Sequence, residues 1–239
     1  MTNNITRLFF VMIYLMMAPP SLANDIYITQ VGDDLDLDIK QDGSGNKVGN
    51  STTAAVLNGD TMNFDITQTG NTNVIAATIK GADYTGTWVF TGSSNTVDLK
   101  CSSGSAGKCD DVTLNVTTTG DDNAFVFNVG ETAVADESTI AFVLTGDHNI
   151  VNSTVDGKKA TLTVNVNNKT SLATTSADSD EGVKLTTVQS GNGTTGHKIL
   201  LDVIGGGGTI DINQSGLNNQ TVDLDITGDS FDVDITQTD

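Results

Sequence analysis

Apolar residues occupy alternate positions in many short segments along the chain. Phe64 and Ile66 show this pattern before a glycine, and Phe125 and Phe127 show it after one. A period of two residues is typical of β-strands that bury one face. Beyond the N-terminal segment no helical period of about 3.6 residues is sustained, so the pattern predicts an all-β fold.

A short phrase recurs nine times between these strands, with a Gly two places after a Gln, Thr or apolar residue. The glycine anchors are Gly32, Gly43, Gly70, Gly92, Gly120, Gly146, Gly191, Gly216 and Gly228. Their spacings of 11, 27, 22, 28, 26, 45, 25 and 12 residues approximate one, two or four times 11 residues, with insertions. Such a repeat predicts a β-solenoid of stacked strand-turn-strand units, with glycine forming each turn.

The Gln of the phrase is in phase with the apolar residues two and four places before it, so its side chain is predicted to point inward. A buried amide costs free energy unless its donors and acceptors are paired. Stacking at about 4.8 Å would pair each amide with its equivalent in the next unit. The alternative is a water-exposed turn residue. The predicted ladder residues are Gln30, Gln41, Asn46, Gln68, Asn73, Asn95, Asn123, Asn149, Gln189, Gln214, Asn219 and Gln237.

Polar stretches between the units are predicted to be loops that project from one edge of the stack. They comprise residues 47–60, 80–86, 100–111, 130–138, 167–182 and 204–208. The longest, 167–182, is rich in Ser, Thr and Asp, which predicts mobility.

Residues 1–23 have the pattern of a secretory signal peptide. A single Arg7 precedes an apolar run from Leu8 to Ala18, and small residues follow up to Ala23. A membrane anchor is the weaker alternative, because 11 apolar residues are too few to span about 30 Å of hydrocarbon. Residues 24–239 are predicted to form one secreted repeat domain without membrane insertion.

Strong negative charge limits the classes of partner. The formal net charge is −19, and removal of the leader with its one arginine changes this to −20. Such a chain is not expected to bind nucleic acid, and its self-association should depend on salt or divalent cations. Calcium is a candidate ligand for acidic residues beside the turns; the alternative is a solvated acidic face. These residues are Asp33, Asp34, Asp121, Asp122, Asp147 and Asp229.

Cys101 and Cys109 are the two cysteines of the chain. In an exported protein the expected arrangement is one disulfide that closes a small loop. A metal site is a poorer alternative, because His148 and His197 are distant in sequence. The chain also lacks an evident nucleophile-base pair or metal cluster, so catalysis and a cofactor are not expected.

Both ends of the sequence have the repeat pattern, in Ile26–Gln30 and in Val233–Asp239. Monomeric β proteins blunt such edges with proline, lysine or a covering helix, and none of these devices is evident. The expected partner is therefore a second copy of the chain, added head to tail. Alternatively, Asp232, Asp234 and Asp239 act as charges that keep the edges apart.

The repeats resemble curlin repeats, the units of curli-type extracellular amyloid fibres. The resemblance is carried by Gln68, Gly70 and Asn73, by Gln214, Gly216 and Asn219, and by the 11-residue step from Gln30 to Gln41. The middle units depart from the family pattern, with Phe90, Thr118 and Leu144 where Gln belongs. The resemblance implies a divergent fibre subunit that works with related subunits or with secretion and assembly factors.

Two functions therefore remain as hypotheses. The first is a structural subunit that polymerises through its end units into an extracellular fibre of a biofilm or surface coat. The second is a monomeric secreted binding module, such as an adhesin, a calcium-binding protein or an ice-binding protein that uses outward threonines. Thr67 with Thr69, Thr117 with Thr119, and Thr161 with Thr163 are not expected to share one place in the unit, which disfavours ice binding.

Overall fold

The computed structural model describes most of the chain from residue 25 to residue 238. The described ranges are 25–43, 45–49, 52, 54–70, 72–92, 94–101, 109–120, 122–129, 138–145, 148–156, 160–167, 183–190, 198–205, 208–215, 220–228 and 231–238. Within these ranges the secondary structure is entirely β, with no helix. The predicted leader and residues 168–182 of the predicted loop 167–182 lie outside the described residues, whereas Asn167 belongs to a strand.

Within the described ranges, twenty strands follow one another along the chain. They are β1 (Asp25–Ile26), β2 (Thr29–Val31), β3 (Asp36–Asp42), β4 (Lys47–Val48), β5 (Ala55–Asn58), β6 (Met62–Thr69), β7 (Val74–Ala82), β8 (Tyr84–Thr91), β9 (Thr96–Cys101), β10 (Cys109–Asp110), β11 (Thr113–Thr119), β12 (Asp122–Val129), β13 (Thr139–Thr145), β14 (His148–Asp156), β15 (Thr161–Asn167), β16 (Val183–Ser190), β17 (Lys198–Gly205), β18 (Gly208–Ser215), β19 (Thr221–Gly228) and β20 (Phe231–Thr238).

The strands form two parallel sheets that face each other across one core. Sheet I has twelve strands, in the order β1-β4-β7-β9-β12-β14-β16-β18-β20 with β2, β5 and β10 alongside. Sheet II has eight strands, in the order β3-β6-β8-β11-β13-β15-β17-β19. The chain alternates between the sheets at each turn, which makes the protein a β-solenoid and confirms the predicted fold class.

Stacking in register places each inward residue directly beside the equivalent residue of the next turn. In sheet II, Ile66 lies beside Trp88, Trp88 beside Val116, and Val116 beside Phe142. The largest side chains gather in the middle turns, where the rings of Phe127 and Phe142 meet edge to face at 4.7 Å. These columns are fully buried and form one continuous apolar core.

The turn glycines Gly43, Gly70, Gly92 and Gly120 also stack on one another. A Cβ added to Gly92 would overlap the carbonyl oxygen of Gly70, and one added to Gly120 would overlap that of Gly92. Close backbone approach between successive turns therefore requires glycine here. Gly32 is also a bend, whereas Gly228 is the last residue of β19; Gly146, Gly191 and Gly216 lie outside the described residues.

Several predicted loops proved to be strand. In 80–86, β7 continues to Ala82 and β8 begins at Tyr84, so Asp83 with its φ of 55° makes the whole turn. Small residues in this segment obscure the alternation of apolar and polar positions. In the predicted loop 47–60, only residues 49–54 separate two strands, β4 and β5. In the predicted loop 100–111, residues 102–108 separate β9 from β10. Residues 204–205 end β17 and residue 208 begins β18, while most of 130–138 lies outside the described residues.

Replacing Gly92 by alanine should lower the free energy of unfolding by about 2–3 kcal/mol, because the new methyl group must push apart two stacked backbones. Thr91→Ala, at the exposed neighbouring position, is the control and should change it by less than about 0.5 kcal/mol. Chemical denaturation followed by circular dichroism measures both values. Equal effects of the two variants would contradict the glycine column.

Candidate assembly interface

Two glutamines form a buried pair at the N-terminal end of sheet II. The side-chain nitrogen of Gln68 donates to Oε1 of Gln41 at 2.6 Å, and both side chains are almost fully buried. The next residue in the column is Phe90, which leaves Oε1 of Gln68 buried without a partner. An amide ladder can continue only where the next turn also offers an amide.

A second glutamine ladder lies at the opposite end of the stack, in sheet I. Gln214 donates to Oε1 of Gln189 at 3.0 Å, and Gln237 donates to Oε1 of Gln214 at 2.8 Å. Gln189 and Gln214 are fully buried. All three bonds in the two ladders run in one direction, with each glutamine donating to the turn before it.

Gln30 belongs to the same column of sheet I as Gln189 but stands apart from it. Leu57 pairs with Gln30, and four further apolar or sulfur-bearing residues fill the column up to Gln189, namely Ile79, Cys101, Val129 and Val155. The expectation of one repeated ladder position is thus corrected. The phrases centred on Gly32 and Gly191 have their Gln in sheet I, whereas Gln41 and Gln68 lie in sheet II.

The asparagines form a ladder where the chain passes from sheet II to sheet I. Asn73 donates to Asn46, Asn95 to Asn123, and Asn123 to Asn149, each at 3.0 Å. All five side chains are buried. Asn219 lies outside the described residues.

The asparagine ladder reverses its polarity in the middle. Asn73 donates toward the N-terminal end of the stack and Asn95 toward the C-terminal end. The oxygens Oδ1 of Asn73 and Asn95 are consequently buried without a partner. This reversal is a local cost within an otherwise satisfied column, because a buried acceptor without a donor forfeits its hydration.

The acidic residues near the turns make backbone hydrogen bonds. Asp33 Oδ1 accepts from the amide of Asp60 at 2.9 Å, and Asp60 Oδ1 accepts from the amide of Ala82 at 2.8 Å. Asp34 is exposed, with a φ of 61°. Asp121, Asp147, Asp229 and the side chain of Asp122 lie outside the described part. Over the described ranges, no group of three or more His, Cys, Asp or Glu side chains could hold a metal ion.

Cys101 is disulfide-bonded, and Cys109 is the other cysteine of the sequence. Cys101 lies beside Ile79 of β7, and Cys109 pairs with Gly81 of the same strand. The insertion 102–108 therefore separates two strands, β9 and β10, that both pair with β7. A cross-link at its base reduces the conformational freedom of the unfolded chain.

Tyr84 places its hydroxyl inside the core, in the place that a Cβ on Gly86 would occupy. Burial raises the pKa of Tyr84 far above its ordinary value, and the charge of Asp65 acts in the same direction. The nearby Trp88 donates its indole N–H to the carbonyl of Phe64 at 2.9 Å. The Tyr84 hydroxyl thus acts as a neutral group that packs in the core.

Two strand edges at the C-terminal end of the stack are open within the described part of the chain. β20 pairs with β18, and β19 pairs with β17, and no described strand covers their other edges. Val233 and Ile235 of β20 are 38% and 43% exposed although they occupy inward positions. Val222, Leu224 and Ile226 of β19 are only half-buried.

The N-terminal end presents matching edges. β1 and β2 pair with β4 and β5, and β3 pairs with β6, again with one edge uncovered in the described ranges. Tracing the register through sheet I aligns Ile26 with Val233 and Gln30 with Gln237. The two ends therefore offer edges of the same strand direction, and in sheet I their inward residues are of the same type in the same order.

The pairs Thr67–Thr69 and Thr117–Thr119 share two columns, whereas Thr161–Thr163 lies in others, so the three pairs do not share one place, as expected. Outward threonines nevertheless form columns. On sheet II, Thr85, Thr113, Thr139 and Thr161 lie side by side. Thr69, Thr91, Thr119 and Thr145 form a second column on the same face. Comparison of sequence pairs missed this arrangement because the strand starts are offset by insertions of different length.

Comparisons of the chain with protein-family models, with curated proteins and with solved structures found no match. Among the described residues no helix is long and apolar enough to cross a membrane. The candidate assembly surfaces at the two ends are therefore supported by their geometry alone.

Replacing Gln214 by leucine should cost about 1–3 kcal/mol of unfolding free energy, since the acceptor on Gln189 and the donor on Gln237 both lose their partner. Gln214→Glu should cost about 3–5 kcal/mol, because it also buries a charge. Gln68→Leu should be milder than Gln214→Leu, because Gln68 has one ladder bond and faces Phe90. Chemical denaturation of the three variants tests this order, and equal costs for Gln214→Leu and Gln214→Glu would contradict inward ladders.

Tyr84 should make the fold sensitive to alkali. Because burial raises its pKa in the folded state, the associated stability is fully present below the unfolded pKa of about 10 and is lost as the pH rises above it. The expected loss is about 1.4 kcal/mol per pH unit from this one proton. Tyr84→Phe should remove that slope, so unfolding curves of both proteins between pH 9 and about pH 11.5 would reveal it as their difference. If the unfolding free energies of the two proteins fell equally with pH, Tyr84 would have to ionise in the folded chain.

Proposed function

We propose that the protein is the structural subunit of an extracellular, curli-like fibre, in which copies add head to tail through their end strands. The observation that carries the proposal is the match between the two ends. Both present open parallel edges, and the inward columns of β20 and of β1–β2 contain the same residue types in the same order. Exposed edges of this kind promote pairing with another chain.

Apolar exposure at the C-terminal edge supports the proposal. Val233 and Ile235 continue the buried columns of Ile210 and Ile212 into water. Covering them with a further strand would bury apolar surface at about 25 cal/mol per Å². Backbone hydrogen bonds along the new pair would add specificity, because only an in-register strand satisfies them.

Charge on the outer faces is the main opposing force. Asp38 pairs with Asp65, Asp202 with Asp225, and Asp211 with Asp234, so like charges already stack within the chain. Directly opposed like charges disfavour pairing, and salt screens them. Assembly is therefore expected to accelerate as salt rises, and calcium would act in the same direction by neutralising carboxylates.

Secretion completes the proposal. The predicted signal peptide over residues 1–23, the acidic composition and the resemblance to curlin repeats together favour a fibre outside the cell, in a matrix or surface coat. Related subunits or secretion and assembly factors would be partners in this reading. No catalytic role or cofactor is part of it.

A monomeric binding module is the second candidate, and the threonine columns of sheet II favour it. A flat face with regularly spaced hydroxyls could bind an ordered surface such as ice. Assays of thermal hysteresis on the monomer distinguish this function from the fibre, because an ice-binding protein acts without polymerising.

Electron microscopy with fibre diffraction is the direct test of the fibre proposal. The purified secreted chain should form filaments with a meridional spacing near 4.8 Å, faster at physiological salt than at low salt. Calcium should shorten the lag further. A protein that stays monomeric under all these conditions, with a strand-rich circular dichroism spectrum, would contradict the proposal.

Ile235→Lys should block filament growth while leaving the fold intact, because the side chain is 43% exposed on the terminal strand. A lysine there must be buried in the joint and would oppose pairing. Thr236→Lys is the control, since Thr236 is exposed on the outer face of the same strand. Seeded growth followed by light scattering should fall at least about tenfold for the first variant and much less for the second. Similar rates for both would show that the inward face of β20 is not in the joint.

A further inference from the structure

The two sheets contain different numbers of strand positions. Sheet I has nine along its length, with three of them shared by two short strands, whereas sheet II has eight strands. Both ends of the stack therefore finish with a strand of sheet I. If β20 of one copy paired directly with β1–β2 of the next, β19 and β3 would lie two strand spacings apart, about 9.6 Å. Each such joint would leave sheet II one strand short.

A different joint closes both sheets. The inward residues of β20 match those of β1–β2 in type and order, and Ile28-Thr29-Gln30 and Ile235-Thr236-Gln237 are the same tripeptide at the same height. Asp25 and Asp232 also share a column. A strand that fits the edge of β4–β5 is thus present twice in the chain.

We propose that the N-terminal segment Asp25–Val31 is a removable cap on an acceptor edge, and that the occupant of this edge in the fibre is β20 of a second copy. On docking, β20 replaces β1–β2 beside β4–β5, and β19 of the same copy pairs with β3. The proposal rests on the proposed fibre function and specifies its joint. Both sheets then run through the joint without a gap.

The two joints differ in the charges that they bring together. In strand exchange, β20 of a second copy replaces β1–β2, whereas in direct stacking β20 pairs with β1–β2. In the structure Asp25 Oδ1 lies 3.7 Å from the ammonium nitrogen of Lys47. Exchange places Asp232 in the position of Asp25, beside Lys47. Direct stacking places Asp232 beside Asp25, with two like charges on neighbouring strands, which is unfavourable.

Sheet II gives a second complementary pair. Following the register from β3 to β19 aligns Lys40 with Asp225. Exchange brings these two residues onto neighbouring strands, whereas direct stacking leaves an empty position between them. The same alignment brings the half-buried Leu224 against Ile39 and extends the apolar core.

The cap is the weaker of the two occupants. β1 pairs through two residues and β2 through three, with a break between them, while β20 is one unbroken strand of eight residues. In the cap, Oε1 of Gln30 is buried without a partner. Gln237 would arrive with its bond to Gln214 already made, and its own Oε1 would face Leu57 as Oε1 of Gln68 faces Phe90 within the chain.

Hydrogen exchange of the full chain, read by mass spectrometry before and after filament formation, tests the proposal. In the monomer, the amides of Asp25–Val31 should be partly protected by β4 and β5. In filaments they should lose that protection, while those of β19 and β20 gain it. Filaments in which Asp25–Val31 becomes more protected would overturn exchange in favour of direct stacking and leave the fibre function standing. Absence of filaments would overturn both.

Charge-reversed variants give an independent reading in seeded growth. Asp232→Lys should slow elongation about tenfold or more under exchange, because it meets Lys47, but should accelerate it under direct stacking, because it meets Asp25. Asp234→Lys is the control with the same charge change on the same strand and should alter the rate by less than about threefold. Asp225→Lys should also slow elongation; an unchanged rate with this variant, or a faster rate with Asp232→Lys, would count against exchange.

Discussion

The fold depends on the in-register stacking of parallel strands, which puts each inward side chain beside its equivalent one turn away. Apolar residues gain from this arrangement without further conditions, because any apolar neighbour excludes water. A buried amide also needs hydrogen-bond partners, which come from an amide at the same height in the next turn or from a nearby backbone carbonyl. The same constraint governs the backbone, where the carbonyl of Gly43 excludes a Cβ on Gly70 and the carbonyl of Gly70 excludes a Cβ on Gly92.

Amides and aromatic residues are unequally distributed along the stack. Trp88, Phe125, Phe127 and Phe142 fill the middle turns, whereas the glutamine ladders lie toward the two ends. Each aromatic residue buries a large apolar area. Amide ladders add little net free energy but penalise any shift in register, since a slipped strand leaves polar atoms unpaired. The ends are where a joining copy would have to find its register, so this distribution suits a subunit that polymerises.

The sequence predicted the fold class because alternation and repeated glycine anchors are local signals. Inward orientation of residues such as Gln68 and Asn123 was also predictable from phase with their apolar neighbours. The sheet to which each phrase belongs was not predictable, because the insertions 49–54 and 102–108 leave and rejoin one strand position without advancing the stack. Gln30 and Gln41 belong to similar phrases in the sequence, but they lie on successive strands, β2 and β3, and therefore in opposite sheets. Ion pairing between Asp25 and Lys47 gave no sequence signal, as the two residues become neighbours only through the register.

Helical reconstruction of the filaments by electron cryomicroscopy tests the central claim most directly, through the axial rise per subunit. Strand exchange leaves eight positions of each sheet per copy, which gives a rise of about 38 Å at the usual strand spacing. Direct stacking retains all nine positions of sheet I and gives about 43 Å, with a one-strand gap in sheet II. A rise near 38 Å with both sheets continuous is the predicted result. A reconstruction in which the subunits touch through their outer faces, with the edges of β19 and β20 exposed to solvent, would contradict end-to-end assembly altogether.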